Sequence, residues 1–259
     1  MIGLGNTLSQ SSPATFAEAG AKALSGNGYA MVFDGVNDKG SMSDGDNIFD
    51  DMATGDWSLS FYVKFDGANT NSKTIFWKGS FLNYLWISTD STGNLAIMGF
   101  NGSWSIRTSF NTSFSTSTWY HVVLTSDSSG TNRDNKGYID GSLVSVISMD
   151  LIPSSVNIES ATGTSTFFLS EWLGMFYFAN SIDEIATWNS VLTSEEITDI
   201  NTEKLDLTQD SLNYGSSSNL QRYFRAEAGT GTSVADVSGN SNGAITLESG
   251  ATFTSNTPF

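Results

Sequence analysis

Cysteine is absent from all 259 residues, and that absence removes three kinds of chemistry at once. No disulfide framework, no thiolate nucleophile and no cysteine-based zinc site is available. Histidine occurs once, at His121, so a Ser-His-Asp triad would have to use that single ring. It stands inside the run Trp119 to Leu124, where a packed or surface strand histidine is the expected role. Basic side chains are also scarce: 11 Lys and Arg face 27 Asp and Glu, a formal charge of −16. Such a surface repels phosphate backbones and argues against nucleic acid as a partner. It suits a solvated acidic surface, a saline habitat or calcium ligation. No apolar run reaches the roughly 18 residues of a spanning helix, so no membrane span is expected.

What the chain does contain is apolar and aromatic material, 39% and 12% of its residues, enough for a substantial core. That material comes in short runs of period two, rich in aromatic and β-branched residues and separated by Gly, Asn, Asp and Ser, the pattern of an all-β protein. The predicted strands are Tyr29 to Phe33, Trp57 to Phe65, Thr74 to Trp77, Asn83 to Ser88, Asn94 to Phe100, Trp104 to Thr108, Thr118 to Ser126, Lys136 to Ile139, Ser142 to Met149, Thr166 to Ser170 and Ser181 to Trp188. In the second of these, Trp57, Leu59, Phe61, Val63 and Phe65 share the core face, with Ser58, Ser60 and Lys64 opposite. Asn101-Gly102 and Asp140-Gly141 suit the positive φ angles of tight hairpins, which makes the order antiparallel. One helix is expected, from the capping box of Thr193 and Glu196 to about Glu203.

Met1 to about Gly28 is small and polar and reads as an extended arm, in which Met1, Gly3, Leu4 and Gly5 are candidate assembly contacts. Met1 to Gly20 shows no basic stretch followed by an apolar one, so the expectation is a protein that folds in the cytoplasm. Residues 204–259 are too few for a separate β-domain without disulfides. They are expected either to complete the sandwich formed by residues 29–203 or to add strands to a neighbour.

Five segments, in order, resemble laminin-G-like jelly rolls of the concanavalin A-like lectin/glucanase superfamily. They are Met31-Val32-Phe33-Asp34-Gly35, Trp57 to Lys64, Trp119-Tyr120-His121-Val122, Gly137-Tyr138-Ile139-Asp140-Gly141, and Ile182 to Trp188 followed by Leu192 to Ile197. Tyr223-Phe224-Arg225 and the Gly-rich stretch Gly229 to Gly243 look like the segment that usually precedes the opening strand, as in a circular permutation. The resemblance implies an antiparallel two-sheet jelly-roll sandwich with one short helix after the closing strand.

Hydrolases of that superfamily carry Glu-x-Asp-x-x-Glu on one strand, and retaining hydrolysis needs two carboxylates about 5–5.5 Å apart. Here Asp183 and Glu184 are adjacent and, on a regular strand, point to opposite sides, so the protein is expected not to be an enzyme. The resemblance implies that Asp34 and Asp183 meet where the opening and closing strands come together, and Asp236 lies in a Gly- and Asn-rich loop suited to ligation, which makes the three a candidate calcium site; the alternative is that these aspartates cap turns. The denser acidic run Asp44-Gly45-Asp46-Asn47 with Asp50 and Asp51 lacks an EF-hand Glu, because Gly55 stands at its twelfth position. Trp77, Tyr84, Trp86 and Trp104, with Phe100, are candidate glycan-stacking aromatics, against core packing as the alternative. Single laminin-G-like domains with a short Leu-Gly-rich start resemble virion structural proteins of marine bacteriophages, such as head decorations, fibres or tail components. The expected partners are then other virion proteins, further copies of the chain as a homo-oligomer with a trimer favoured, and a surface polysaccharide. The alternative is a secreted, extracellular bacterial carbohydrate-binding or adhesive module.

Overall fold

The structure is a computed structural model that describes residues 24, 26–43, 55–67, 72–80, 83–100, 105–150, 166–240 and 243–259. Met1, Gly3, Leu4, Gly5, Trp104, the Asn101-Gly102 turn and the acidic run Asp44 to Asp51 lie outside these residues.

The described strands form two antiparallel sheets packed face to face, a jelly-roll sandwich. The eight-stranded sheet contains β1 (Ala30–Asp34), β3 (Trp57–Phe65), β8 (Trp119–Asp127), β9 (Asp134–Ile139), β10 (Ser142–Val144), β13 (Ala179–Trp188), β14 (Leu220–Phe224) and β17 (Thr252–Thr254). Its order is β10-β9-β8-β3-β13-β1-β17, with β14 beside β13. The nine-stranded sheet contains β2 (Lys39–Ser43), β4 (Thr74–Ser80), β5 (Asn83–Thr89), β6 (Leu95–Phe100), β7 (Ser105–Phe110), β11 (Val146–Met149), β12 (Thr166–Leu169), β15 (Ser233–Ala235) and β16 (Ala244–Glu248). Its order is β11-β7-β6-β5-β4-β12-β2-β16-β15. Between the sheets, alternate residues such as Leu59, Phe61, Phe76, Ile87, Ile97, Val122, Phe167 and Ile182 form the core.

Two stretches differ from the sequence reading. Ser142 to Met149 is not one strand: β10 pairs with β9 in one sheet and β11 with β7 in the other. The switch falls at Ser145, whose carbonyl accepts from Asn111 N. Strand β2 was not expected, since Lys39-Gly40-Ser41-Met42-Ser43 offers little apolar alternation, yet it takes its place through pairing with β12 and β16. The Asp140-Gly141 turn has positive φ at both residues, 50° and 78°, as a two-residue hairpin requires.

Residues 204–259 complete both sheets of their own chain. β16 pairs with β2, β15 with β16, β17 with β1, and β14 with β13. β1 occupies the edge of β13 up to Met31 opposite Ile182, and β14 resumes the same edge with Phe224 opposite Ile185. Between them Glu184 sits at φ 51°, in a bulge that breaks the strand's regular alternation. The chain entering β1 is clasped by the chain leaving β14: Arg225 Nη2 donates to Gly26 O at 2.8 Å, and Gly28 N donates to Glu227 Oε2 at 3.1 Å.

The helix α1 (Ser194–Glu203) begins at Thr193, whose Oγ1 accepts from Glu196 N while Glu196 Oε2 accepts from Thr193 N. It buries Ile197 and Ile200 against the outer face of the eight-stranded sheet, where they join Val123, Ala186, Trp188 and Tyr223. No described helix is long and apolar enough to cross a membrane.

Candidate functional site

The outer face of the eight-stranded sheet is covered. All nine residues of β3 are buried, including the polar ones opposite the core face. Ser58 Oγ accepts from Leu192 N and donates to Ser190 O, while Lys64 pairs with Asp66 at 3.1 Å. Ser60 Oγ lies 2.8 Å from His121 Nε2. His121 stacks on Tyr62 with centroids 4.6 Å apart, and burial pushes its pKa down to about 3. It is a neutral, packed ring. The cavity beside Ser60 holds about 10 Å³, room for one water and not for a substrate. Glu184 is equally enclosed: it accepts from Tyr223 Oη, from Arg225 Nε at 3.0 Å and from Asn27 Nδ2 at 3.2 Å.

The outer face of the nine-stranded sheet is different. Since Phe76, Ile87, Ile97 and Phe167 point inward, alternation sends Trp77, Trp86, Met98 and Phe168 outward. Register aligns them in one row: Arg107 opposite Met98, Met98 opposite Trp86, Trp86 opposite Trp77, Trp77 opposite Phe168, and Phe168 opposite Ser41. The row crosses five strand spacings, about 24 Å. Trp77 stacks on Phe168 at 5.3 Å, and Tyr84 lies against Phe100 in the adjacent row.

Over this row folds a small hairpin after β12, residues 171–176. Trp172 and Met175 exchange backbone hydrogen bonds across Leu173 and Gly174, both at positive φ. Its rings form a second layer. Trp172 stacks on Trp86 at 5.1 Å and 14°, and Phe176 touches both. The predicted stacking residues Trp77, Tyr84 and Trp86 are thus brought together, but Trp77 and Trp86 are only 3% and 8% exposed. They support the layer above, and the ring offered to solvent is Phe176, with Trp172 and Tyr84 half-buried. Trp172 and Phe176 were missed in the sequence. The signal for them was two aromatics bracketing Leu173-Gly174, a turn just after a strand.

Polar groups around the aromatic layers are unevenly satisfied. Trp86 Nε1 donates to Thr74 Oγ1 at 3.1 Å, whereas Trp77 Nε1, Trp172 Nε1 and Ser88 Oγ are buried without a partner among the described residues. Each such group costs roughly 1–3 kcal/mol until an acceptor or donor meets it. Ion pairs stand at the ends of the row. Arg107 Nη2 is 3.1 Å from Asp90 Oδ2, and Lys39 Nζ is 3.6 Å from Glu248 Oε2 and 5.3 Å above the Phe168 ring. Burial pushes the Asp90 carboxyl up, but hydrogen bonds from Thr92 and Asn94 and the Arg107 charge outweigh it and hold Asp90 below the usual range.

The three aspartates expected to share calcium do not meet as a set. Asp34 lies opposite Ala179, four residues from Asp183 along β13, about 13 Å at the rise of a strand. Asp34 Oδ1 accepts from Val36 N and Asn37 N, which caps the turn, and the Val36 bond does most to lower its pKa. Asp236 Oδ1 accepts from Tyr223 N and Ser238 N, and Asp183 Oδ1 from Ala226 N. Among the described residues no group of three or more His, Cys, Asp or Glu is placed to hold a metal ion. The geometry fits turn capping and strand closure, and does not fit calcium ligation by this trio.

Two antiparallel sheets, one described α-helix over one of them and an aromatic outer face on the other define a jelly-roll sandwich of the lectin type. The model of one family, described as the concanavalin A-like lectin/glucanases superfamily and of laminin-G type, matches residues 25–198, and the chain belongs to that family. No curated protein matches it. Among solved structures, the native heptameric SAP-like pentraxin of Limulus polyphemus is similar at 12% identity and a TM-score of 0.54, over 89% of this chain and 96% of that one. A protein of Bacteroides ovatus ATCC 8483, classed provisionally as carbohydrate binding, is similar at 16% identity and a TM-score of 0.58. That likeness covers 87% of this chain and 59% of the Bacteroides protein. At such identities the likeness is one of fold.

Proposed function

We propose that this chain is a non-catalytic carbohydrate-binding module that holds its glycan on the aromatic outer face of the nine-stranded sheet. The observation that carries the reading is the two-layer aromatic cluster, in which Phe176 is exposed and Trp172 half-buried above the buried Trp86 ring. Sugars present apolar C–H faces, which stack on exposed aromatic rings. Membership of a lectin-type family supports the reading. So does the fold-level likeness to a Bacteroides protein classed with carbohydrate binders. Against catalysis stand the burial of Asp183, Glu184 and His121 and the absence of room beside Ser60.

The test is calorimetric titration and array binding with the full chain and with Trp172→Ala. The wild type should bind at least one glycan, and the variant should lose at least tenfold in affinity while its melting curve stays cooperative. A folded variant that binds as tightly as the wild type would remove the aromatic face from the account.

The setting we propose is a bacteriophage particle, as a homo-oligomer, on the strength of the sequence resemblance. Mass spectrometry of purified particles should find the chain. Its recovery from culture supernatant, free of particles, would instead assign it the secreted setting.

A further inference from the structure

The charged groups of the aromatic face narrow the class of glycan, an inference that rests on the reading of that face as the sugar site. On the described strands of this face two cations stand, Lys39 and Arg107, one near each end of the aromatic row. Neither is free. Glu248 pairs with Lys39 and also accepts from Ser41 Oγ, and Asp90 pairs with Arg107. Arg107 is further committed through Nε to Ser109 Oγ at 2.9 Å, and its backbone N to Asp150 Oδ2 at 2.9 Å. The hairpin adds one more carboxylate, Glu171, which accepts from Gly174 N. Four carboxylates therefore surround two spoken-for cations, in a chain whose net charge is already −16. An acidic sugar lying on this row would meet Lys39 and Arg107 already paired, and would be repelled by the surplus of carboxylates.

We infer that the ligand is an uncharged polysaccharide chain lying across the strands between Lys39 and Arg107, and that Glu248 and Asp90 exclude sialylated, uronate and sulfated chains by keeping those two cations occupied. Glu248 and Asp90 are thus specificity-determining residues. They set selectivity by the charge they cancel, a form of discrimination by an unfavourable alternative.

The experiment is a glycan array carrying neutral, sialylated, uronate and sulfated chains, probed with the wild type, Glu248→Gln and Asp90→Asn, each checked by a melting curve. The wild type should bind neutral chains alone. Either variant, by freeing a cation at one end of the row, should raise binding to uronate or sulfated chains about threefold, the size of effect expected of a partly exposed ion pair. The neutral signal should be retained. Since Asp90 also accepts from Thr92 and Asn94, Glu248→Gln is the cleaner variant and decides if Asp90→Asn fails to fold. Acidic chains bound by the wild type as well as neutral ones, or no gain in a folded Glu248→Gln, would overturn the inference and leave the carbohydrate reading in place. No binding to any chain would overturn that reading itself.

Discussion

Strands β3 and β5 lie in opposite sheets and obey the same alternation, yet their outward residues end in different surroundings. On β3, Ser58, Ser60 and Lys64 are polar and buried, and each finds a partner within the protein: Leu192 N and Ser190 O for Ser58, His121 for Ser60 and Asp66 for Lys64. On β5, Tyr84 and Trp86 are aromatic, and the described cover is a six-residue hairpin whose own rings remain at the surface. Polar residues are therefore buried where neighbouring strands and loops supply hydrogen-bond and ion-pair partners, and an aromatic ring reaches solvent where the described cover is a hairpin. The difference separates the part of the molecule that holds the fold from the part that can meet a ligand.

The largest test of that separation is Trp188→Ala. Trp188 is 1% exposed beneath the helix, and its Nε1 donates to Tyr214 Oη, which in turn donates to Leu207 O. Truncation should cost about 3–5 kcal/mol, read from the urea midpoint, with the glycan affinity of the folded fraction unchanged. A loss below about 1 kcal/mol would mean that the helix cover is not part of the fold's stability.

The second test is acid. His121 has its folded pKa lowered from the usual 6.5 to about 3, so on acidification the unfolded chain takes up a proton that the folded chain refuses. The sign follows: the unfolded state binds more protons between those values, so stability falls as pH drops through that window. The slope from this one ring is about 1.4 kcal/mol per pH unit. Carboxylates titrate in the same range, so the measurement is the difference in denaturation slope between the wild type and His121→Gln. Parallel slopes above pH 5 would remove the buried neutral ring from the account.

Third comes the capping box. Thr193→Ala removes the Oγ1 acceptor of Glu196 N and should cost about 1 kcal/mol, with no change in glycan binding, because the helix serves the covered face. Any change in affinity would show that the two faces are coupled.

Much of this arrangement was legible in the sequence because it depends on local rules. Trp57 to Phe65 alternates without interruption, Asp140-Gly141 adopts the two positive φ angles its residues favour, and Thr193 with Glu196 caps the one described helix. What was not legible depends on long-range register. β2 has almost no apolar signal and exists because β12 and β16 flank it. Asp34 and Asp183 were expected to meet, yet β1 and β13 pair so that four residues separate them along the strand. Trp172 and Phe176 escaped notice because their importance comes from lying over Trp86, 86 and 90 residues earlier in the chain. No local pattern reports such a contact.

The smallest expected effect on stability is also the sharpest test of the aromatic face. Phe176 is 40% exposed and touches Trp172 and Trp86 at centroid distances of 5.2 and 5.9 Å. Its backbone carbonyl, which accepts from Thr74 N, anchors the hairpin whatever the side chain. Phe176→Ser should therefore move the unfolding free energy by no more than about 0.5 kcal/mol, as surface changes usually do. If the ring is a contact for sugar, affinity should nevertheless fall about tenfold, the size of an aromatic hot spot near the centre of an interface. The pairing of a large binding effect with a negligible stability effect is the reverse of what Trp188→Ala should give. Equal losses in both quantities for Phe176→Ser would mean that the hairpin rings are core for their own face, and the ligand surface would have to be sought elsewhere on the sandwich.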